Sequence, residues 1–336
     1  MSLHRLRRRL LGRFLLPVAA SVPLSFVLFV AVEAVPGEAV GGGIRRDLPR
    51  SEVERIRKLR GLDQGPLARY RCWLLGVNAR GCEWWTGGQG ILQGDLGTST
   101  RHGRPVRELL AERLPRTLSV MLPAFMGGLF LAVVLGAVAA RAPGGRWDRI
   151  LSTLALFGHG VPLHWLGLLA ILAFSLQLQL LPSSGTGSGW LGGFRHALLP
   201  ILVTALYFAG RWLRLVRAAV VDAARAPFVV GLQARGVTGT RLLARVARSA
   251  LVPVLSAAGH ALPTLFGGAV IIERVFVYPG MGTLLVESVL EKDHLTATVL
   301  LVAYSGLTLL AAASVDATLF ALDPRLRDPS LDEDLG

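Results

Sequence analysis

The sequence predicts an all-α protein that crosses a membrane six times. Three observations predict it. Of 336 residues, 52% are hydrophobic and only 17% charged, where a soluble domain is nearer a quarter charged. The apolar residues gather into six runs, and roughly 20 residues suffice for each crossing. The arginines sit between and beside those runs, which is where a membrane protein keeps cytoplasmic charge. The net charge of +14 raises nucleic acid as a partner, but this placement of the basic residues argues for a lipid bilayer and against nucleic acid.

The runs are Phe14–Ala34, Leu118–Ala140, Ile150–Leu181, Leu198–Val216, Leu251–Ile272 and Thr296–Leu322. The first follows "MSLHRLRRRLLGR" and precedes "VEA", a pattern shared with cleaved signal peptides. Its length exceeds a typical signal core, so it reads as an uncleaved span. The third run is longer than one straight span requires. Gly158, Gly160 and Pro162 supply a bend, and Gln177–Leu181 could instead lie at the interface.

Arginine sets the orientation. The N-terminus, the loop 141–149 and the stretch from Arg211 to Arg248, which holds eight Arg and one Asp, are predicted to be cytoplasmic. An even number of spans returns the tail to the same side. The chain therefore divides into 1–34, the N-terminus and first span; 35–117, an external segment; 118–322, a core of five spans with a cytoplasmic loop at 217–250; and 323–336, a cytoplasmic tail. The external segment is also Arg-rich, but long loops translocate largely regardless of charge.

Within that segment "LPRSEVERIRKLRGLDQ" reads as a short polar helix ending near Gly61. "GRPVRELLAERLPRTL" reads as a helix opened by Pro105. Val106, Leu109, Leu110 and Leu114 share one face of it. That face suits either the membrane surface or the protein's own exterior. Cys72 and Cys82 lie in the same segment, where a disulfide can persist. Two free thiols are the alternative.

No enzymatic constellation is visible. The only lysines, Lys58 and Lys292, do not follow glycine, so there is no phosphate loop of the G-x-x-x-x-G-K type. No His/Cys cluster has structural-zinc spacing, and no cofactor or metal is expected. His159, His164 and His260 fall inside apolar runs and are candidate pore residues; histidines hydrogen-bonded between helices are the plainer reading. Asp316, inside the last run, needs a cation or donor partner.

The loop "LQARGVTGTRLLARVARSALVP" carries the most information. Gly236 and Gly239 can end one helix and reverse the chain. Thr240 is a plausible cap for the next helix. Arg241, Arg245 and Arg248 then form a basic stripe beside Leu242, Leu243, Val246 and Ala250. Such a helix–turn–helix suits either anionic lipid or a protein partner. On the other side, "YPGMG", Tyr278, Pro279, Gly280, Met281 and Gly282, suits a type II turn centred on Pro279 and Gly280.

The chain resembles the integral-membrane permease subunits of ABC importers, in the dipeptide, oligopeptide and nickel permease family. "GLDQGPLARY", "GDLGTSTRHGRPVRELLAERLPRTL", "GVPLHWLGLL", "RSALVPVL", "GGAVIIERVFVYPGMGTLLVESVLEKD" and "LDPRLRD" carry the likeness, in the family's order. The resemblance implies a type I permease fold in a bacterial inner membrane, without an ATPase site of its own. It implies a second permease subunit (a paralogue or a second copy), two cytoplasmic ATP-binding subunits and an external solute-binding protein. Ala234, Arg235 and Gly236 match the family's coupling motif. With Val237, Thr238, Gly239, Arg241 and Arg245 they would dock on the ATPase. Tyr278–Gly282 would lie near an external gate. Di- or oligopeptides are the implied cargo, with nickel, a metal chelate or another solute as alternatives, and a secondary transporter a more distant one. "VVGLQARG" and Ser249 depart from the usual motif, and "VNARGCEWWTGGQGILQ" looks like an external insertion between the first two spans.

Overall fold

The computed structural model describes residues 23–31, 63–76, 82 and 89–322, with isolated positions between 49 and 58. The described residues are helical apart from short turns and two isolated bridges, Gly76 with Gln89 and Thr98 with Pro105. The helices are α1 Pro66–Leu75, α2 Val106–Ala140, α3 Arg146–Gly160, α4 Leu163–Ala170, α5 Gly189–Arg225, α6 Pro227–Ala234, α7 Gly239–His260, α8 Leu262–Val275, α9 Met281–Leu290 and α10 His294–Leu322. A π-helical turn, Ile171–Gln177, continues α4. Helix is the expected solution, because a backbone in hydrocarbon must satisfy its own hydrogen bonds.

Four described helices are long and apolar enough to cross a membrane: Val106–Ala140, Gly189–Arg225, Gly239–His260 and the His294–Val315 part of α10. The α3–α4 pair makes a fifth if it is counted as one broken span. Most of the expected first span lies outside the described residues, although 23–31 is helical. The expected polar helix over 48–64 also lies largely outside them; Ser51, Glu54, Arg55 and Lys58 are helical.

The run 150–181 breaks where the glycines and Pro162 stand, and by far more than a gentle bend. Its halves meet at 101°. Pro162 forces the residue before it out of the helical region, and Val161 is extended at φ −85°, ψ 130°. The run 251–272 is also divided, at Ala261. The long helix there is α7, which begins at Gly239 and absorbs the basic stripe. The stripe is therefore the first turns of a candidate span, not a separate short helix.

Chain contacts divide the protein into two compact units, Met1–Thr117 with Pro279–Leu309 and Leu118–Tyr278 with Leu310–Gly336. The first is centred on Phe29, Tyr70, Trp73, Val106 and Val299. Tyr70 receives the edges of Phe26 and Phe29 at ring separations of 5.1 and 5.7 Å, a favoured aromatic geometry. Its hydroxyl lies 2.7 Å from Ser25 Oγ. Val106 and Leu109 are fully buried, so the amphipathic start of α2 packs on protein and is not open to lipid there.

Two devices pin the loops of this unit. Cys72 and Cys82 are bonded, with Cα atoms 5.4 Å apart, and both are fully buried. Beside them Gly76 takes φ +80°, and a Cβ there would run into the Gln89–Gly90 backbone. At the other corner Asp293 caps α10. Its carboxylate accepts from Thr296 N at 3.3 Å and Thr296 Oγ1 at 2.7 Å. It also accepts from Ser99 Oγ at 2.5 Å, which ties the "GTST" loop to that helix start. Arg101 pairs with Glu291 nearby.

In the second unit α5 is the central helix. Trp212 stacks on Phe208 and receives Phe125 edge-on, both at 5.2 Å. Glycines let backbones approach, as in other membrane helix pairs. A Cβ at Gly136 of α2 would stand 2.8 Å from Val216 of α5, and one at Gly210 of α5 would stand 2.9 Å from the Ala155 carbonyl of α3. Large apolar side chains remain exposed along α2, at Leu122, Met126, Phe130 and Val134. Their spacing of four makes one continuous stripe, as expected for a face that meets lipid or another subunit.

The disulfide gives the first testable consequence. Thiol labelling of the denatured, unreduced protein should modify neither Cys72 nor Cys82, and both should label after reduction. Closing so short a loop constrains the unfolded chain by about 2–3 kcal/mol. The Cys72→Ser/Cys82→Ser protein should therefore melt earlier in detergent. Two labelled cysteines before reduction would contradict the bond.

Candidate functional site: the elbow between α5 and α7

Residues 225–239 reverse the chain twice. Helix α5 ends at Arg225 because Pro227 forces the residue before it, Ala226, out of the helical region. Ala226 is extended at φ −65°, ψ 145°, and Pro227 opens α6 at its first position, where a missing N–H costs nothing. Helix α6 ends in a Schellman motif. Gly236 N donates to the Gln233 carbonyl at 2.9 Å and Val237 N to the Leu232 carbonyl at 3.0 Å. That closure needs a left-handed residue, and Gly236 supplies it at φ +76°. The next helix starts after an extended Thr238, with Gly239 at φ +62°.

Thr240 is not the cap expected from the sequence. Thr238 occupies that position, without a side-chain capping bond. Thr240 already lies within α7, because the helix starts at Gly239, two residues earlier than a Thr240 cap would place it.

The elbow has its own small core of Ala223, Val229, Val246 and Ala250, with Ala219, Val220 and Leu242 packed against it. The buried residues of α7 here, Val246 and Ala250, are four apart, so one face of the helix is anchored. Leu243, grouped with that face from its sequence position, instead points out and is 67% exposed. Phe228 and Val230 of α6 are exposed as well. Ala234, Arg235, Gly236, Thr238, Gly239, Arg241, Arg245 and Arg248 all stand at the surface, and Val237 is half-buried. The elbow thus presents apolar side chains among arginines on a rigid, double-turned frame.

An ion pair that sequence reading missed braces the same end of α5. Asp148, in the first turn of α3, is buried. Arg217 grips it in bidentate fashion, through Nε to Oδ1 and through Nη2 to Oδ2 at 2.6 Å. The carboxylate also accepts from Gly144 N at 2.7 Å and Ser152 Oγ at 3.3 Å. The available signal was a lone acid among Arg141, Arg146 and Arg149. Only the fold shows which distant arginine it selects.

Tyr278–Gly282 does not form a type II turn. That turn would need Gly280 at positive φ, but Gly280 is extended at φ −100° and caps α9. The reversal comes earlier, where Val277 takes φ +48° and Tyr278 N donates to the Glu273 carbonyl at 2.7 Å. Tyr278, Gly280, Met281 and Gly282 are buried. Ser119 Oγ lies 3.3 Å from the Tyr278 hydroxyl. Met281 N donates to Thr117 Oγ1 at 2.8 Å.

The three histidines stay apart in role. His159 faces the Tyr207 ring at 5.4 Å and lines a cavity with Gly210, Arg211, Arg214 and Leu215. His164 lies beside Trp165. His260 Nδ1 is 2.6 Å from the Ser256 carbonyl of its own helix, not bonded across helices. Among the described residues no group of three His, Cys, Asp or Glu is placed to hold a metal ion. The side chain of Asp316 lies outside the described residues.

The described residues form a helical protein with four or five helices apolar and long enough to cross a membrane, two of them joined by the elbow. The chain belongs to the family described as binding-protein-dependent transport system inner membrane component, whose model matches residues 132–328. It is 31% identical to a putative peptide transport system permease protein of Brucella abortus, over 92% of this chain and 97% of that one. It is also 31% identical to a glutathione transport system permease protein of Pectobacterium atrosepticum, over 95% and 97%. A metal-staphylopine import system permease protein of Staphylococcus aureus is 30% identical over 80% of each chain. This is a multi-pass inner-membrane permease subunit of an ABC importer. Membership implies work with an ATPase and a substrate-binding protein.

The Asp148–Arg217 pair is open to a double-mutant cycle. Asp148 is buried but Arg217 is 31% exposed, so removing one partner should cost about 1–3 kcal/mol, less than for a fully buried pair. Asp148→Ala and Arg217→Ala should each lower the thermal midpoint in detergent, and the double variant should lose less than the sum. Strictly additive losses would show that the two side chains do not stabilise each other.

Proposed function

We propose that this permease forms half of the pore of an importer for di- and oligopeptides, coupled to a separate ATPase through the elbow at 226–245. The observation that carries the coupling is the Schellman-closed α6 and the exposed Phe228, Val230, Leu243 and arginines around it. A rigid helical pair with apolar side chains ringed by positive charge suits a groove on a protein partner better than a solvated loop. A second permease, a paralogue or another copy, completes the pore, and two ATP-binding subunits sit beneath. The core has six spans, including the first near 14–34, with both termini on the ATPase side. The external segment carries an insertion before the second span. Tyr278–Gly282 serves the external gate from a buried position, through the packing at the start of α9, and not as an exposed loop.

The mechanism needs only differential affinity for two states. ATP closes the ATPase dimer, the elbow moves with it, and α5 and α7 transmit the motion because they leave the elbow as continuous helices. Cargo enters from the binding protein while the pore is outward-open, and hydrolysis resets it. No bond of the cargo is made or broken.

Peptide cargo follows from the peptide and glutathione relatives. A metal chelate is the second reading, favoured by the metal-staphylopine relative. In cells lacking this permease, the wild-type chain should restore uptake of a labelled dipeptide. Uptake of a nickel chelate without dipeptide uptake would favour the second reading.

Coupling has its own test. A β-branched residue at φ +76° costs about 1–3 kcal/mol of local strain, although a Cβ at Gly236 would meet no neighbour within 4 Å. The fault in Gly236→Val is therefore conformational, and Gly236→Asn should be milder. Gly236→Val should insert normally while transport and cargo-stimulated ATP hydrolysis fall together. Undiminished transport in that variant would remove the elbow from the coupling path.

A further inference from the structure

Arg211 and Arg214 are two charges of the second unit that have no acidic partner among the described residues. They belong to the run Leu198–Val216, and Arg211 is 13 residues beyond Leu198, about 20 Å along a helix. Both side chains are exposed, towards the arginine-rich end of α5, where water or an anionic group can reach them. Arg217, three residues on, has Asp148. Among the described residues neither Arg211 nor Arg214 has an acidic partner. The other described acids of the unit are Asp222, two turns beyond Arg214, and the buried Glu273 on α8.

Both arginines border an open surface groove of about 410 Å³, with the exposed His159 of α3 and with Gly210 and Leu215 of their own helix. The volume falls within the range of small-molecule sites. Gly210 brings α3 and α5 close beside it, since a Cβ there would stand 3.3 Å from His159 N. The two guanidiniums are three residues apart on α5, so they share a face. Their planar forks suit bidentate binding of carboxylate or phosphate. His159 adds a hydrogen-bonding ring and Leu215 an apolar side.

We propose that Arg211, Arg214 and His159 form a binding site for an oxyanion, carried by an anionic lipid headgroup or by a soluble carboxylate or phosphate. The site lies towards the arginine-rich end of α5, where an anionic headgroup would find it. A carboxylate-bearing cargo leaving the pore would meet the same chemistry. The proposal does not depend on peptide being the transported solute.

The test uses the full-length chain and four probes: phosphatidylglycerol, inorganic phosphate, a dipeptide with a free C-terminus and the same dipeptide as its C-terminal amide. Thermal midpoints are compared in nanodiscs of phosphatidylcholine alone and mixed with phosphatidylglycerol. The soluble probes are titrated in detergent. At least one oxyanion probe should bind, and the one that does identifies the source. The amide should fail where the free dipeptide succeeds. Arg211→Gln and Arg214→Gln should each weaken binding about tenfold, and the Lys variants should keep part of it. On the wild-type protein, the effective probe should also slow phenylglyoxal modification of both arginines, read by mass spectrometry, which covers the case of variants that do not fold. A wild-type protein indifferent to every oxyanion probe, or arginines equally reactive with and without them, would overturn the site. Indifference of that kind would instead fit arginines that pair with an acid of a neighbouring subunit.

Discussion

A backbone in hydrocarbon has no water to bond, and every unpaired N–H or C=O there costs several kcal/mol. This constraint makes the chain helical almost wherever it is described and concentrates its information at the places where helix stops. Each interruption is satisfied locally. The elbow closes its carbonyls through the N–H groups of Gly236 and Val237. The break at Val161–Pro162 falls where proline has no N–H to lose. The start of α10 is capped by Asp293, which Ser99 also engages. The proposed coupling site falls at one of these stops, because there the chain can turn and present a surface.

Helix α5 links those features. Its middle is held by close glycine contacts to α2 and α3 and by the Phe208–Trp212 stack. Its arginine-rich end is braced by Asp148 through Arg217, and beyond that it hands over to the elbow core of Ala223, Val229, Val246 and Ala250. In the proposed coupling, a displacement of the elbow would reach α5 and α7 through packed, hydrogen-bonded elements. The exposed Phe228, Val230 and Leu243 offer a partner the grip to cause it.

Much of this was legible in the residues. Apolar runs located most of the described spans, because hydropathy depends on composition alone, but the span expected at 251–272 lies at Gly239–His260. Gly236 announced a reversal, because few other residues tolerate its backbone angle. The failures share one cause. The type II turn at Pro279–Gly280 fitted local preference, but the entry to α9 needs Gly280 extended and places the positive φ at Val277. Thr240 was the better-looking cap, but α7 starts at Gly239 and the cap position falls to Thr238. The run 251–272 held one sign of its division at Ala261, namely Pro263 in the first turn of α8, which its unbroken apolar composition masked. The pairing of Asp148 with Arg217 depends on tertiary structure, and no local pattern selects one arginine among several.

The central claim, that the elbow is where another subunit takes hold, is best tested by site-directed cross-linking. Cys72 and Cys82 are bonded to each other, so a single introduced thiol has no free competitor. Leu243→Cys, exposed on the elbow, should cross-link to the ATP-binding subunit in the assembled transporter, more readily in one nucleotide state than the other. Trp190→Cys, equally open at the start of α5, should not. Cross-links from Trp190→Cys with none from Leu243→Cys would contradict the account.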